Sequence, residues 1–93
     1  MALIYITLRI MPESIEADLP TITAEATKMI HAFIKEDRSV QAEYKPVAFG
    51  LKAIELMWSM QESIGGTEDL EAEICNIENV QNCECVDVRR AIG

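Results

Sequence analysis

The sequence has 93 residues, 49% hydrophobic and 26% charged, the proportions of one globular domain rather than of a disordered chain. Sixteen acidic against eight basic residues give a formal net charge of −8, which opposes direct contact with nucleic acid and favours a basic protein partner. No apolar run approaches the roughly 20 residues of a membrane span and no signal peptide opens the chain, so we expect a cytoplasmic protein with no membrane partner.

The first predicted element is a strand over residues 2–11. Apolar residues alternate with others along it, the period-two pattern of a strand with one buried face. The residues predicted to be buried are Ala2, Ile4, Ile6, Leu8 and Ile10. Pro12, in the motif MPES, ends the strand because proline lacks the N–H that a sheet ladder requires.

A helix is predicted next, beginning after Asp18. The Asp18 carboxylate is suited to an N-cap, and Pro20 falls in the first turn, where its missing N–H is not needed. Helical spacing puts one apolar stripe toward the core, made of Leu19, Ile22, Ala26, Met29, Ile30 and Phe33. His31, the only histidine, falls on the solvent side, so we expect an exposed residue rather than a catalytic base.

Two further strands, over residues 39–48 and 51–60, form a predicted hairpin. Gly50 gives the connection its backbone freedom, and Pro46 places the first of these strands at a sheet edge. The residues predicted to be buried in the second are Ile54, Leu56, Trp58 and Met60. The pair Phe49–Gly50 therefore stands at the hairpin tip.

The turn GGTE leads into a second predicted helix, with Thr67 as its cap and with acidic residues in its first turn, where the helix dipole favours them. Its inward residues are Leu70, Ile74 and Ile77. In the closing strand, QNCECVDVRR, Cys83 and Cys85 lie in phase whereas Val86 and Val88 do not. This change of phase predicts a bulge near Asp87.

The order strand, helix, strand, strand, helix, strand predicts an α+β, ferredoxin-like βαββαβ sandwich. Right-handed crossovers then give a four-stranded antiparallel sheet in the order 4-1-3-2, with two helices on one face. In this arrangement the Phe49 tip shares one end of the molecule with MPES and with the loop between the second helix and the last strand. GGTE and the pair Arg89–Arg90 lie at the other end.

The residues carry no pattern for covalent chemistry. No serine, threonine or cysteine pairs in sequence with the single histidine, and GGTE has neither the length nor the lysine of a phosphate-binding loop. The thiols of Cys75, Cys83 and Cys85 are too few and too closely spaced for a disulfide framework or a zinc site. We therefore expect a binding domain, not an enzyme, with no cofactor and no metal.

Four motifs, MPES, PVAFGLKAI, GGTE and VDVRRAIG, occur in the order and spacing of archaeal translation elongation factor 1-beta, and the chain resembles that family from about Ile6 to Gly93. The resemblance implies a single guanine nucleotide exchange domain over residues 1–93. It also implies a function, the exchange of GDP for GTP on elongation factor 1-alpha during translation elongation. Such a factor acts by binding this GTPase and has no covalent chemistry of its own.

The resemblance also implies partner-binding residues. In the family, the aromatic residue of the Phe-Gly turn projects into a pocket of the GTPase, and Phe49 and Gly50 occupy the matching positions. From the residues alone, Phe49 could instead fold back into the core. Lys52 is a candidate rim contact to an acidic patch, its alternative being an ordinary solvated strand lysine.

The C-terminal segment departs from the eukaryotic pattern. Eukaryotic members carry a lysine near the C-terminus that perturbs the magnesium site of the GTPase, whereas this chain ends RRAIG. Arg89 and Arg90 could supply positive charge there, although neither occupies the matching position.

Two other functions fit the predicted fold. A small-ligand-binding regulatory domain would dimerise to build its site and would respond to a metabolite such as an amino acid. A hydrolase of the acylphosphatase kind would need an arginine in the first loop, and MPES contains none.

Overall fold

A computed structural model describes residues 3–90. The elements, in chain order, are β1 (Leu3–Pro12), α1 (Leu19–Ile34), β2 (Gln41–Pro46), a 3₁₀ turn (Ala48–Gly50), β3 (Lys52–Gln61), a second 3₁₀ turn (Glu62–Ile64), α2 (Glu68–Cys75) and β4 (Val80–Arg90). The predicted order of elements is confirmed. The first hairpin strand is shorter than the predicted 39–48, and the 3₁₀ turn takes up residue 48, whereas the second keeps its predicted length of ten residues and is displaced by one.

The four strands form one antiparallel sheet in the order β2-β3-β1-β4, which is the predicted 4-1-3-2 order read from the other edge. The edge position of β2 is also confirmed. β1 and β2 run in one direction and β3 and β4 in the other, so the Phe49 tip lies at the same end as the loops after β1 and before β4. One of these loops is joined to the other by a hydrogen bond from the Glu13 amide to the Asn79 carbonyl, at 2.8 Å.

Both helices cover the same face of the sheet. The alternating residues Ile4, Ile6, Leu8 and Ile10 of β1 are buried in one cluster with residues of α1 and α2. The α1 stripe is confirmed and also includes Ile34. Ala2 lies outside the described residues. Neither α1 nor α2 covers the opposite face of the sheet, which is called the open face below.

The predicted bulge in β4 is confirmed at Val86. Thr7 pairs with Asp87 and the next residue, Leu8, pairs with Cys85, so Val86 has no partner of its own in β1. The extra residue shifts the alternation of β4 side chains relative to β1 by one position. Val88 therefore lies opposite Ile6, on the helix-covered face.

Two predicted side-chain environments are wrong. Thr67 stands at the N-cap of α2 but makes no capping hydrogen bond, because its hydroxyl donates to the Glu71 carboxylate at 2.8 Å. His31 is half-buried rather than exposed, because its Nε2 lies 2.7 Å from the Arg38 carbonyl of the loop that follows α1. Neither helix within residues 3–90 has the length and apolarity needed to cross a membrane.

Candidate functional site

The tip of the hairpin is a tight turn with two successive residues in the left-handed region. Phe49 has φ 62° and ψ 29°, and Gly50 has φ 77°. Hydrogen bonds from the Val47 amide to the Leu51 carbonyl (2.8 Å) and from the Leu51 amide to the Ala48 carbonyl (3.3 Å) close the turn. A left-handed conformation suits glycine but costs about 1 kcal/mol or more for a residue with a side chain. The turn therefore holds Phe49 in a strained conformation.

That conformation points the Phe49 ring into solvent. The residue is 95% exposed, the largest fraction among the exposed large hydrophobic residues of the described chain. The core-plug alternative for Phe49 is therefore wrong, because a folded-back ring would be buried. Exposing a phenylalanine side chain instead of burying it forgoes about 1.5–3 kcal/mol. A ring displayed in this way is suited to being buried by another molecule.

The loop between β1 and α1 lies directly beside the turn. A Cβ atom added to Gly50 would sit 3.7 Å from Cγ2 of Ile15. The two loops and the start of β3 surround a shallow depression of about 240 Å³, lined in part by Pro12, Ile15, Gly50 and Lys52. Sequence reasoning placed MPES at this end of the molecule but did not single out Ile15. The available signal was an isoleucine placed between Ser14 and Glu16 in a predicted loop.

The stem of the hairpin is fixed by a buried carboxylate on the open face. Glu55 of β3 accepts two hydrogen bonds from the Arg9 guanidinium of β1, at 2.9 and 3.2 Å, and its other oxygen lies 3.2 Å from Nζ of Lys45 in β2. These two cations offset the repulsion between Glu55 and Glu43, a like charge directly opposite it in the sheet. The network therefore ties three strands together within a few residues of the tip.

The same contacts set the protonation of the network. The Arg9 hydrogen bonds, and then Lys45, hold the pKa of Glu55 below its usual range despite the opposing effect of burial. Glu55 in turn raises the pKa of Lys45. Sequence reasoning missed this site because strand alternation places Glu55 on the solvent-facing side and says nothing of the two long side chains that cover it.

Lys52 opens β3, opposite Pro46, the last residue of β2. Its side chain is exposed, and it takes part in none of the ion pairs found within residues 3–90. Lys45, on the other side of the tip, is by contrast held by Glu55 and Glu43. Of the two lysines that flank the tip, Lys52 is therefore the one without an acidic partner within residues 3–90.

The structure does not bring Arg89 and Arg90 to this site. Both lie at the opposite end of a molecule 42 Å long, and they project from opposite faces, because Arg89 pairs with Tyr5 and Arg90 with Ile4. Each already has an acidic partner: Arg89 Nε lies 2.8 Å from Asp87, and Arg90 Nη2 lies 2.8 Å from Glu62. The residues after Arg90 lie outside the described chain.

The thiols are not poised for chemistry. Burial raises the pKa of Cys83 to about 12 and also raises the pKa of Cys85, so little reactive thiolate forms near neutral pH. Among residues 3–90, no three histidine, cysteine or carboxylate side chains are grouped to hold a metal ion. The candidate site is therefore the exposed tip, which is suited to binding, rather than the thiols.

Comparison with known proteins points in the same direction. Residues 5–91 match the model of the EF-1 guanine nucleotide exchange domain. The chain is 38% identical over 85 residues to the elongation factor 1-beta of Methanothermobacter thermautotrophicus, covering 90% of this chain and 91% of that protein. The elongation factors 1-beta of Staphylothermus marinus (36% over 92 residues) and Methanobrevibacter smithii (34% over 90 residues) are each covered to 98%, and each match covers 97% of this chain. These matches favour nucleotide exchange over a small-ligand regulatory domain.

Proposed function

Because the chain belongs to the family of EF-1 guanine nucleotide exchange domains, we propose that it exchanges GDP for GTP on elongation factor 1-alpha by presenting Phe49 to that GTPase. The family has a nucleotide exchange role in translation elongation, and a factor of this kind requires a GTPase partner. The reaction involves binding and release only, with no covalent step, and we place it in the cytoplasm.

The observation that carries the proposal is the exposure of Phe49. The two hydrogen bonds of the turn and the charge network of the stem maintain a conformation in which the ring is 95% exposed, despite the strained φ of Phe49. Aromatic side chains that enter a partner's pocket are typical binding hot spots. Since the turn already fixes the backbone at Phe49, little backbone entropy remains to be lost on binding.

Exchange then follows from linkage. If the factor binds the nucleotide-free GTPase more tightly than the GDP-bound form by about 4 kcal/mol, the GTPase loses about a thousandfold in affinity for GDP. GDP leaves, and GTP in turn displaces the factor. A factor that bound both forms equally would shift nothing.

The proposal gives each of the other candidate residues a different role. Gly50 permits the turn, and Lys52, which has no ion pair within residues 3–90, meets an acidic rim around the pocket that receives Phe49. Arg89 and Arg90 join the same interface only if it extends along the sheet. A ten-residue strand spans about 33 Å, a length that a standard interface of about 800 Å² per partner can cover.

The test is a pair of affinities for elongation factor 1-alpha of the same organism, one for the GDP-bound and one for the nucleotide-free form. We expect the nucleotide-free form to bind about a thousandfold more tightly. Phe49→Ala should weaken this binding by more than about 2 kcal/mol, or roughly thirtyfold, with the fold intact. Tyr44→Ala removes another ring of the same hairpin and should have little effect on binding. Equal affinities for the two forms would contradict the proposal.

A further inference from the structure

We infer that Ile15 is a second contact with the GTPase, beside Phe49, and that the partner's pocket has an apolar shelf on the side facing the β1–α1 loop. The inference rests on the proposed function, because it names a further part of the same binding surface. It gives a role to the β1–α1 loop, which begins within the MPES motif at Glu13.

Exposure is the first observation. Among the exposed large hydrophobic residues of the described chain, Phe49 (95%) and Ile15 (70%) have the largest exposed fractions, followed by Val88 at 56%. The first two come from loops far apart in sequence yet lie at the same end of the molecule. A single exposed apolar side chain is ordinary, but adjacent ones rimmed by polar residues mark an interaction surface.

The β1–α1 loop is fixed in place. Its first residue, Glu13, donates its amide to the Asn79 carbonyl at 2.8 Å, and the Ala17 amide donates to the Ser14 carbonyl at 3.3 Å. The Glu16 amide donates to the Ser14 hydroxyl, also at 3.3 Å. These bonds hold the backbone on both sides of Ile15, so the backbone that carries its side chain, like the backbone at Phe49, is fixed before binding.

The contact with Gly50 makes the two loops one surface. Ile15 Cγ2 lies where it would touch a Cβ at position 50, and Ile15 and Lys52 line the same depression. A partner that takes up the Phe49 ring therefore also approaches the depression that Ile15 and Lys52 line together beside Gly50. The complementary surface has an apolar pocket for the ring, an apolar shelf against Ile15 and a carboxylate near Lys52.

A purely structural role for Ile15 makes a different prediction. If Ile15 only supports the turn, Ile15→Ala weakens binding only by displacing the Phe49 ring. It then has no effect on the Kd when residue 49 is already alanine. If Ile15 contacts the partner, its removal weakens binding even when residue 49 is alanine. A double-mutant cycle separates the two roles.

The experiment measures the Kd of nucleotide-free elongation factor 1-alpha for the wild type, Ile15→Ala, Ile15→Leu, Phe49→Ala and the Ile15→Ala/Phe49→Ala double variant. We expect Ile15→Ala to weaken binding about tenfold, since it leaves a contact of several apolar carbons unmade. Ile15→Leu should stay within about threefold of the wild type because it conserves apolar volume. Val86→Ala, which shortens a partly exposed β-branched residue on the far edge strand, is the control and should not change the Kd.

The outcomes are distinguishable. A further loss of affinity in the double variant, relative to Phe49→Ala, supports direct contact. An unchanged Kd for Ile15→Ala, or an Ile15→Ala effect that vanishes in the Phe49→Ala background, overturns the inference and leaves the proposed function standing. Failure of the wild type to bind the GTPase removes both.

Discussion

The charge network at the hairpin stem makes a quantitative prediction for Glu55→Gln. This change preserves the shape of the side chain but removes the negative charge that Arg9 and Lys45 share. The glutamine oxygen can still accept from Arg9. Its amide N–H₂ then faces the Lys45 ammonium, so one donor stands against another.

The magnitude lies between two limits. Breaking a fully buried ion pair costs about 3–5 kcal/mol, whereas an exposed pair contributes about 0–1 kcal/mol. The Glu55 side chain is 8% exposed, but those of Arg9 and Lys45 are 40% and 53% exposed, so solvent screens the pairs from one side. We therefore expect a loss of about 1–2 kcal/mol, which lowers the unfolding midpoint by roughly 5–15 °C in a domain of this size.

The pH dependence is the sharper assay. Because the folded protein holds the pKa of Glu55 low, the contribution of Glu55 is present above the unfolded value of about 4.3 and is lost as pH falls through the folded value. The difference in unfolding free energy between wild type and Glu55→Gln, measured by urea denaturation, should therefore be full at pH 7 and shrink toward pH 3. Glu43→Gln, directly opposite and exposed, is the matched control and should have little effect. A difference that is absent at pH 7, or constant down to pH 3, would refute the reasoning.

Two further predictions concern the turn and the thiols. Gly50→Ala should lower the unfolding free energy by about 1 kcal/mol, since alanine at φ 77° is strained. It should also weaken GTPase binding, because the altered turn moves the Phe49 ring. A variant with the unfolding free energy and the GTPase affinity of the wild type, measured by denaturation and by binding, would contradict this. Burial raises the pKa of Cys83 to about 12. The Cys83 thiol should therefore resist alkylation at pH 8 in the folded protein and react readily in urea, as followed by peptide mass mapping. Equal alkylation rates in the two states would show that the thiol is not protected.

Periodicity, together with rules of chain geometry, was sufficient to predict most of the fold. Alternation along β1 identified its buried face, the phase change between Cys85 and Val88 identified the bulge, and element order with crossover handedness fixed the sheet. Each of these features is set by local pattern together with a rule of chain geometry. The placement of the Phe49 tip beside MPES followed from the same topology.

The site was less predictable because it depends on side-chain directions that sequence spacing does not set. The presence of Gly50 indicated a turn, but the left-handed φ of Phe49 is what turns its ring outward. Arg89 and Arg90 are adjacent in sequence yet lie on opposite faces of β4, each beside an acidic residue. Glu55 was missed because its burial comes from the side chains of Arg9 and Lys45, which belong to two other strands.

The central claim is that the exposed Phe49 ring drives nucleotide release. The most direct measurement is the rate at which a fluorescent GDP analogue leaves elongation factor 1-alpha as the factor is added, for the wild type and for a Phe49→Ala variant shown to be folded. Wild type should accelerate release to a plateau, and Phe49→Ala should require a concentration roughly thirtyfold higher for the same rate, the counterpart of about 2 kcal/mol in binding. Identical release curves for the two proteins would contradict the account.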